Sequence, residues 1–103
     1  MRINVTQKAG SLHARLGDSL DISTVREDLD HLIQVVESGT ALEFNLSSVS
    51  ELDTAGIQLL LLVRREAKSL GKECRFTQPS AAVQEAFELV RRTDFFDEPL
   101  LTA

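Results

Sequence analysis

Hydrophobic and polar residues alternate with a period of two in four stretches of the chain, which is the pattern of strands with one buried face. The stretches are residues 2–7, 11–16, 41–46 and 72–77. The first two flank a turn at residues 8–11, which predicts a β-hairpin that ends at Gly17. In the third, Ala41 points away from the apolar face of Leu42, so we expect a central strand that is buried on both sides.

Between the strands, apolar residues recur every three or four positions, which predicts three amphipathic helices. The first helix begins at a cap, Ser23 or Thr24, and ends at Gly39. The second is expected from about Ala55 to Leu70, with Gly71 at the position that follows a helix end. The third begins at Pro79-Ser80 and closes at residues 93–96.

The predicted order of elements is therefore β-β-α-β-α-β-α. Each β-α-β unit implies a crossover between parallel strands, and the opening hairpin adds an antiparallel edge. We expect an α/β fold with a mixed β-sheet of about four strands and helices mainly on one face, in a single domain over residues 1–103. Residues 97–103 are expected to form a loose C-terminal tail.

Composition and charge exclude several classes of protein. Of the 103 residues, 43% are hydrophobic and 26% are charged, which is typical of a folded globular chain. The net charge of −5 argues against a nucleic-acid partner, because phosphate binding needs a basic face. The longest apolar run, residues 59–63, is too short for direct membrane insertion. The N-terminus lacks the apolar run of a signal peptide, so we expect a cytoplasmic location.

No catalytic or metal-binding pattern is present in the sequence. His13 and His31 have no second histidine or cysteine at a metal-ligand spacing, and Cys74 is the only cysteine. Nucleophile-elbow, phosphate-loop and zinc-helix motifs are missing as well. We therefore expect neither an enzyme nor a cofactor.

The polar stretch of residues 47–56 leads directly to the leucine-rich second helix. Its last four residues, Asp53-Thr54-Ala55-Gly56, are the candidate functional residues. Either Asp53 or Thr54 would be the N-cap, whose side chain accepts a hydrogen bond from the first turn. An ordinary cap explains these residues fully. The same geometry would also suit a phosphoryl group on the hydroxyl, held by backbone N–H groups. Such a group adds about −1.5 to −2 charges, which could end binding of a partner without refolding the domain.

At these residues the chain resembles the STAS family, which includes anti-sigma factor antagonists and the cytoplasmic tails of sulfate transporters. The family pattern is a strand that ends in Asp/Asn-Leu-Ser/Thr, a loop with spaced apolar residues, and Asp-Ser-Ser/Thr/Ala-Gly at the start of a leucine-rich helix. The matching positions are Asn45-Leu46-Ser47, Val49, Leu52, Asp53-Thr54-Ala55-Gly56 and Leu59-Leu60.

The resemblance implies that Thr54 is the phosphoacceptor and that the chain is not itself an enzyme. Its expected partner is an anti-sigma factor or a serine/threonine protein kinase of histidine-kinase-like ATPase fold, which would supply ATP and Mg²⁺. The unphosphorylated chain would bind this partner and phosphorylation would release it. The residues expected to bind the partner are Asp53, Thr54, Ala55, Gly56, Asp21 and Ser50.

One departure from the family pattern leaves a second function open. The common acceptor is serine, whereas this chain has Thr54. STAS subunits of Mla-type phospholipid ABC transporters use an Asp-Thr-Gly-Gly loop to dock on the ATPase subunit, and there the threonine is a contact. Both roles are compatible with the residues Asp53 to Gly56. Related proteins also occur beside chemosensory histidine kinases, so a sigma factor need not be the final target.

Overall fold

The computed structural model describes residues 2–89 and contains seven elements in the predicted order. The strands are β1 (Arg2–Lys8), β2 (Ser11–Leu20), β3 (Ala41–Leu52) and β4 (Glu73–Thr77). The helices are α1 (Val25–Ser38), α2 (Thr54–Ser69) and α3 (Ala81–Leu89). The predicted close of the third helix at residues 93–96 and the predicted tail at 97–103 lie outside the described residues.

The four strands form one mixed sheet in the order β1-β2-β3-β4. β1 pairs with β2 antiparallel, and β2–β3 and β3–β4 are parallel, as the β-α-β pattern predicts. Lys8 pairs with Ser11 across a two-residue turn. Ala9 and Gly10 both have positive φ, at 47° and 85°, which is the backbone conformation that a tight hairpin turn requires.

The two faces of the sheet differ in polarity. The apolar face packs against the helices, and the rings of Phe44 and Phe76 stack there with centroids 5.2 Å apart. On the other face, His13 Nδ1 lies 2.8 Å from Glu43 Oε2, and Arg75 lies 3.6 Å from Glu43 Oε1. The expectation that β3 is buried on both sides is therefore wrong, because its second face carries charged side chains that remain partly hydrated.

β2 and β3 both run further than the alternation of residues predicts. β2 continues through Gly17 to Leu20, and β3 continues through the serine-rich stretch to Leu52. The register shifts twice along this pair, between Arg15 and Gly17 and between Asp18 and Ser19. These irregularities break the period of two without breaking the pairing, so the sequence pattern resembles a loop.

The C-terminal ends of α1 and α2 are closed in different ways, one by a distant lysine and the other by a glycine. Gly71 has a φ of +69° after α2, which confirms its predicted place beyond the helix end. Lys72 Nζ donates to the backbone oxygens of Val36 and Glu37 at 2.6 and 2.9 Å. Since the last turn of α1 is Val-Val-Glu-Ser, Lys72 supplies the positive charge that the end of a helix favours.

A search of residues 2–89 for a helix with the length and hydropathy to cross a membrane finds none.

Candidate functional site

Asp53 forms the corner between the end of β3 and the start of α2. Its Oδ1 accepts a hydrogen bond from the Gly56 N–H at 2.9 Å, and its carbonyl oxygen accepts one from the Ile57 N–H at 3.0 Å. These are the two bonds of an N-cap residue. Asp53, rather than Thr54, is therefore the cap, and Thr54 is the first residue of α2.

The same aspartate binds the turn between β2 and α1. Asp53 Oδ2 accepts a hydrogen bond from the Ile22 N–H at 3.1 Å, and the Asp53 N–H donates to the Leu20 carbonyl oxygen at 3.2 Å. One side chain thus holds together two segments that lie 31 residues apart in the sequence. No local pattern reveals this long-range link, which makes Ile22 part of the corner.

Gly56 is buried where α2 meets the ends of β2 and β3. A Cβ atom at this position would lie 2.4 Å from the Leu20 carbonyl oxygen and 2.5 Å from Leu52 Cδ1. Such distances are far below van der Waals contact, so only glycine allows the helix to start this close to the sheet. Gly56 therefore allows close packing beneath the site, whereas Thr54 lies on its surface.

Thr54 is exposed at the positive end of α2. Among residues 2–89, no partner accepts or donates a hydrogen bond at its hydroxyl. The first turn of α2 is Thr-Ala-Gly-Ile, so Asp53 is the only carboxylate that this helix start supplies itself. The N–H groups of Thr54 and half-buried Ala55 precede the capped Gly56 N–H and belong to the unsatisfied donors of a helix start. The arrangement can therefore hold an anionic group on the hydroxyl.

Asp21 lies in the turn beside this corner. Its Oδ1 accepts hydrogen bonds from the Ser23 hydroxyl and, at 3.0 Å, from the Ser23 N–H. The bond from the Ser23 hydroxyl, followed by the one from the Ser23 N–H, lowers the pKa of Asp21 because both bonds favour the charged form. The corner therefore presents two carboxylates, Asp21 and Asp53, around the turn that contains Ile22.

Ser50 is exposed on β3, further from the corner along the strand. Asp18 pairs with Val49 and Ser19 pairs with Glu51, so Ser50 is the extra residue of a β-bulge. Within residues 2–89, hydrogen bonds do not join Ser50 to Asp53 or to Thr54. The structure thus brings Asp21, Asp53 and Thr54 into one corner and leaves Ser50 as a neighbour along β3.

The described part of the chain holds no group of three His, Cys, Asp or Glu residues that could bind a metal ion.

The mixed sheet, with helices packed on its apolar face, defines an α/β domain. Residues 3–101 match the family model described as "Mlab, STAS domain". The chain belongs to the STAS domain family. Curated proteins give no match.

Several solved structures share this fold. An anti-sigma factor antagonist from Mycobacterium paratuberculosis superimposes with a TM-score of 0.81 at 20% identity, over 97% of this chain and 86% of the other. The anti-sigma factor antagonist SpoIIAA in its unphosphorylated form gives 0.74 at 18% identity, over 97% and 90%. The Bacillus cell fate determinant SpoIIAA in the phosphorylated form gives 0.69 at 16% identity, over 97% and 93%. The predicted family and fold are thereby confirmed.

Proposed function

We propose that this chain is a protein-interaction module of the anti-sigma factor antagonist type, switched by phosphorylation of Thr54. Its partner is an anti-sigma factor or a serine/threonine protein kinase of histidine-kinase-like ATPase fold, and the unphosphorylated chain binds it. The observation that carries the proposal is the exposed Thr54 hydroxyl at the first position of α2, directly after the N-cap residue Asp53.

The geometry explains how a phosphoryl group could release a partner without unfolding the domain. The N–H groups of Thr54 and Ala55 can donate hydrogen bonds to phosphate oxygens, because those of Gly56 and Ile57 already bond to Asp53. A partner packed on the Thr54 hydroxyl would have to accommodate the phosphoryl dianion, which would lose its hydrating water in the interface. Desolvation of an ion costs several kcal/mol in effective terms, which is enough to separate a complex of moderate affinity.

The similar structures support the same view of the fold. SpoIIAA has this fold both in its unphosphorylated and in its phosphorylated form. A STAS domain can therefore carry the modification while its architecture persists. This is the behaviour that a switch acting through surface charge requires.

The test combines modification with binding. The chain is mixed with ATP, Mg²⁺ and any serine/threonine kinase of histidine-kinase-like fold that its gene neighbourhood encodes, and we expect one phosphoryl group on Thr54 by mass spectrometry. A Thr54→Ala variant should stay unmodified. Thr54→Glu should weaken kinase binding by about tenfold or more, as expected for a new charge in an interface core.

Thr40→Glu is the matched control, because Thr40 is also exposed but lies directly before β3, at the opposite end of that strand from Thr54. It should bind like the wild-type chain. An unmodified Thr54 together with equal binding by the Thr54→Glu and Thr40→Glu variants would refute the switch.

The family description supports a second candidate function. The matching family model is named for Mlab. On this alternative, the chain is the STAS subunit of an Mla-type phospholipid ABC transporter and docks on the ATPase subunit through residues 53–56. It predicts a stable complex with the ATPase subunit that both Thr54→Glu and Thr54→Arg disrupt, with no phosphoryl transfer to Thr54. Co-purification with the ATPase subunit and the kinase assay together separate the two functions.

A further inference from the structure

Ile22 is an apolar side chain held at the surface beside the candidate switch. It lies between β2 and α1 and is 73% exposed. Its own N–H donates to Asp53 Oδ2, and Asp53 directly precedes Thr54. A single exposed β-branched residue is common, but the backbone of this one is held by Asp53, which also caps α2.

The turn that carries Ile22 is ordered on both sides. Asp21 Oδ1 accepts from the Ser23 N–H at 3.0 Å, and the Asp21 carbonyl oxygen accepts from the Thr24 N–H at 3.4 Å. Together with the bond to Asp53, these contacts fix the backbone before any partner arrives. A preorganised apolar contact loses little conformational entropy on binding, which is the property of an interface anchor.

The charges around Ile22 indicate the chemistry of the partner. Both oxygens of Asp53 accept backbone N–H groups of this chain, whereas the bonds to Asp21 fall on its Oδ1. Asp21 is therefore the carboxylate with an oxygen left for a partner, and like an ordinary aspartate it is ionised at neutral pH. A cation placed opposite Asp21 would complement it.

We propose that Ile22 is the apolar anchor of the partner-binding surface and that it enters an apolar pocket of a partner protein with a lysine or arginine at the pocket edge opposite Asp21. The inference rests on the proposed function, since it assigns a further contact to the surface around Thr54. It also names a residue that sets specificity, because the pocket must match the size and branching of this side chain.

The test uses the purified full-length protein that binds the wild-type chain in the experiments above, either the neighbouring kinase or the transporter ATPase subunit. Its affinity is measured by calorimetry for the wild type, Ile22→Ala and Ile22→Val. We expect Ile22→Ala to bind about tenfold or more weakly and Ile22→Val to stay within about threefold. Since Ile22 is exposed, both variants should melt like the wild type.

Leu70→Ala is the matched control, because Leu70 is 47% exposed at the opposite end of α2. It should bind within about twofold of the wild type. Asp21→Asn should make binding less dependent on salt, because it removes the charge that faces the pocket edge.

The outcomes separate the two ideas. If Thr54→Glu abolishes binding while Ile22→Ala binds like Leu70→Ala, the anchor is overturned and the proposed function stands. If neither probe protein binds the wild-type chain, the proposed function fails, and the anchor fails with it.

Discussion

The two helices that begin beside each other at this corner are started in different ways. In α1, the N-cap Thr24 makes no capping bond to the backbone through its side chain within residues 2–89, and its hydroxyl donates to Asp28 Oδ2 at 2.9 Å. Glu27 and the buried Asp28 already place negative charge in that first turn. In α2, the cap is Asp53, and the first turn adds no carboxylate.

The two helix starts differ in how much negative charge they carry and in what they expose. The Asp28 side chain lies in the first turn of α1, at the positive end of that helix, and the residue is only 7% exposed. The positive end of α2 has one carboxylate at its edge and an exposed hydroxyl at Thr54. The start of α1 thus contains a buried acidic residue of its own, whereas the start of α2 presents an exposed hydroxyl.

The largest expected effect comes from filling the space under the start of α2. Gly56→Ala should destabilise the domain by about 3 kcal/mol, the upper end of the range for overpacking. The reason is that the added Cβ would meet the Leu20 carbonyl oxygen, which is backbone and cannot rotate away. Chemical denaturation of the two proteins measures the difference.

Gly17→Ala is its control in a neighbouring strand. A Cβ at Gly17 would lie 3.6 Å from Ser48 Cβ, an ordinary contact, so this variant should lose less than about 1 kcal/mol. Equal stability of the Gly56→Ala and Gly17→Ala variants would contradict the close approach of α2 to the sheet.

A smaller loss is expected from the cap itself. Asp53→Ala removes both the bond to Gly56 and the bond to Ile22 and should cost about 1–2 kcal/mol in the free energy of unfolding. Asp53→Asn keeps the capping bond, because its amide oxygen can still accept from the Gly56 N–H. It loses the bond from the Ile22 N–H, because an amide nitrogen cannot accept. Its loss in the free energy of unfolding should therefore be smaller than that of Asp53→Ala. Urea titrations rank the variants.

Asp30→Ala provides the reference for this series, because Asp30 is an exposed aspartate on α1 and should change stability by less than about 0.5 kcal/mol. If Asp53→Ala were as mild as Asp30→Ala, the capping role of Asp53 would be wrong.

The smallest effect concerns the titration of Asp21. Ser23→Ala removes the hydroxyl bond and should raise the pKa of Asp21 towards its ordinary value, while the bond from the backbone N–H remains. Because the folded state lowers this pKa, Asp21 stabilises the fold above its unfolded pKa, and this contribution disappears as the pH falls through the folded pKa. The stability difference between Ser23→Ala and the wild type should therefore shrink in acid.

An NMR titration of the Asp21 carboxyl measures this pKa directly. Ser38→Ala is the control, since Ser38 donates to the Gln34 carbonyl oxygen on the far turn of α1. An Asp21 pKa that is the same in the Ser23→Ala and Ser38→Ala variants would rule out the hydroxyl bond as a cause.

The periodicity of the sequence was sufficient for the order of elements and for the pairing of the strands. It failed where β2 and β3 continue past Gly17 and Leu46, because bulges and exposed serines break the alternation on which the prediction depends. The prediction that the second face of β3 is buried was also wrong, since one small residue, Ala41, does not indicate whether another element covers that face.

The candidate site was predicted in its local part and missed in its long-range part. The Asp53-Thr54-Ala55-Gly56 stretch is readable as a helix start because caps depend on neighbouring residues. The bond from Ile22 to Asp53 and the approach of Leu20 to Gly56 join distant segments, so they follow only from the packing of the sheet. The assignment of Thr54 as phosphoacceptor stays a prediction for the kinase assay.

The absence of space for a single methyl group beneath Gly56 has a mechanical consequence. Because the start of α2 already lies against the end of β2 at Gly56, it cannot shift closer to the sheet without a clash with the Leu20 backbone. Under the proposed switch, charge repulsion at Thr54 would therefore displace the bound partner and would not push α2 into the sheet.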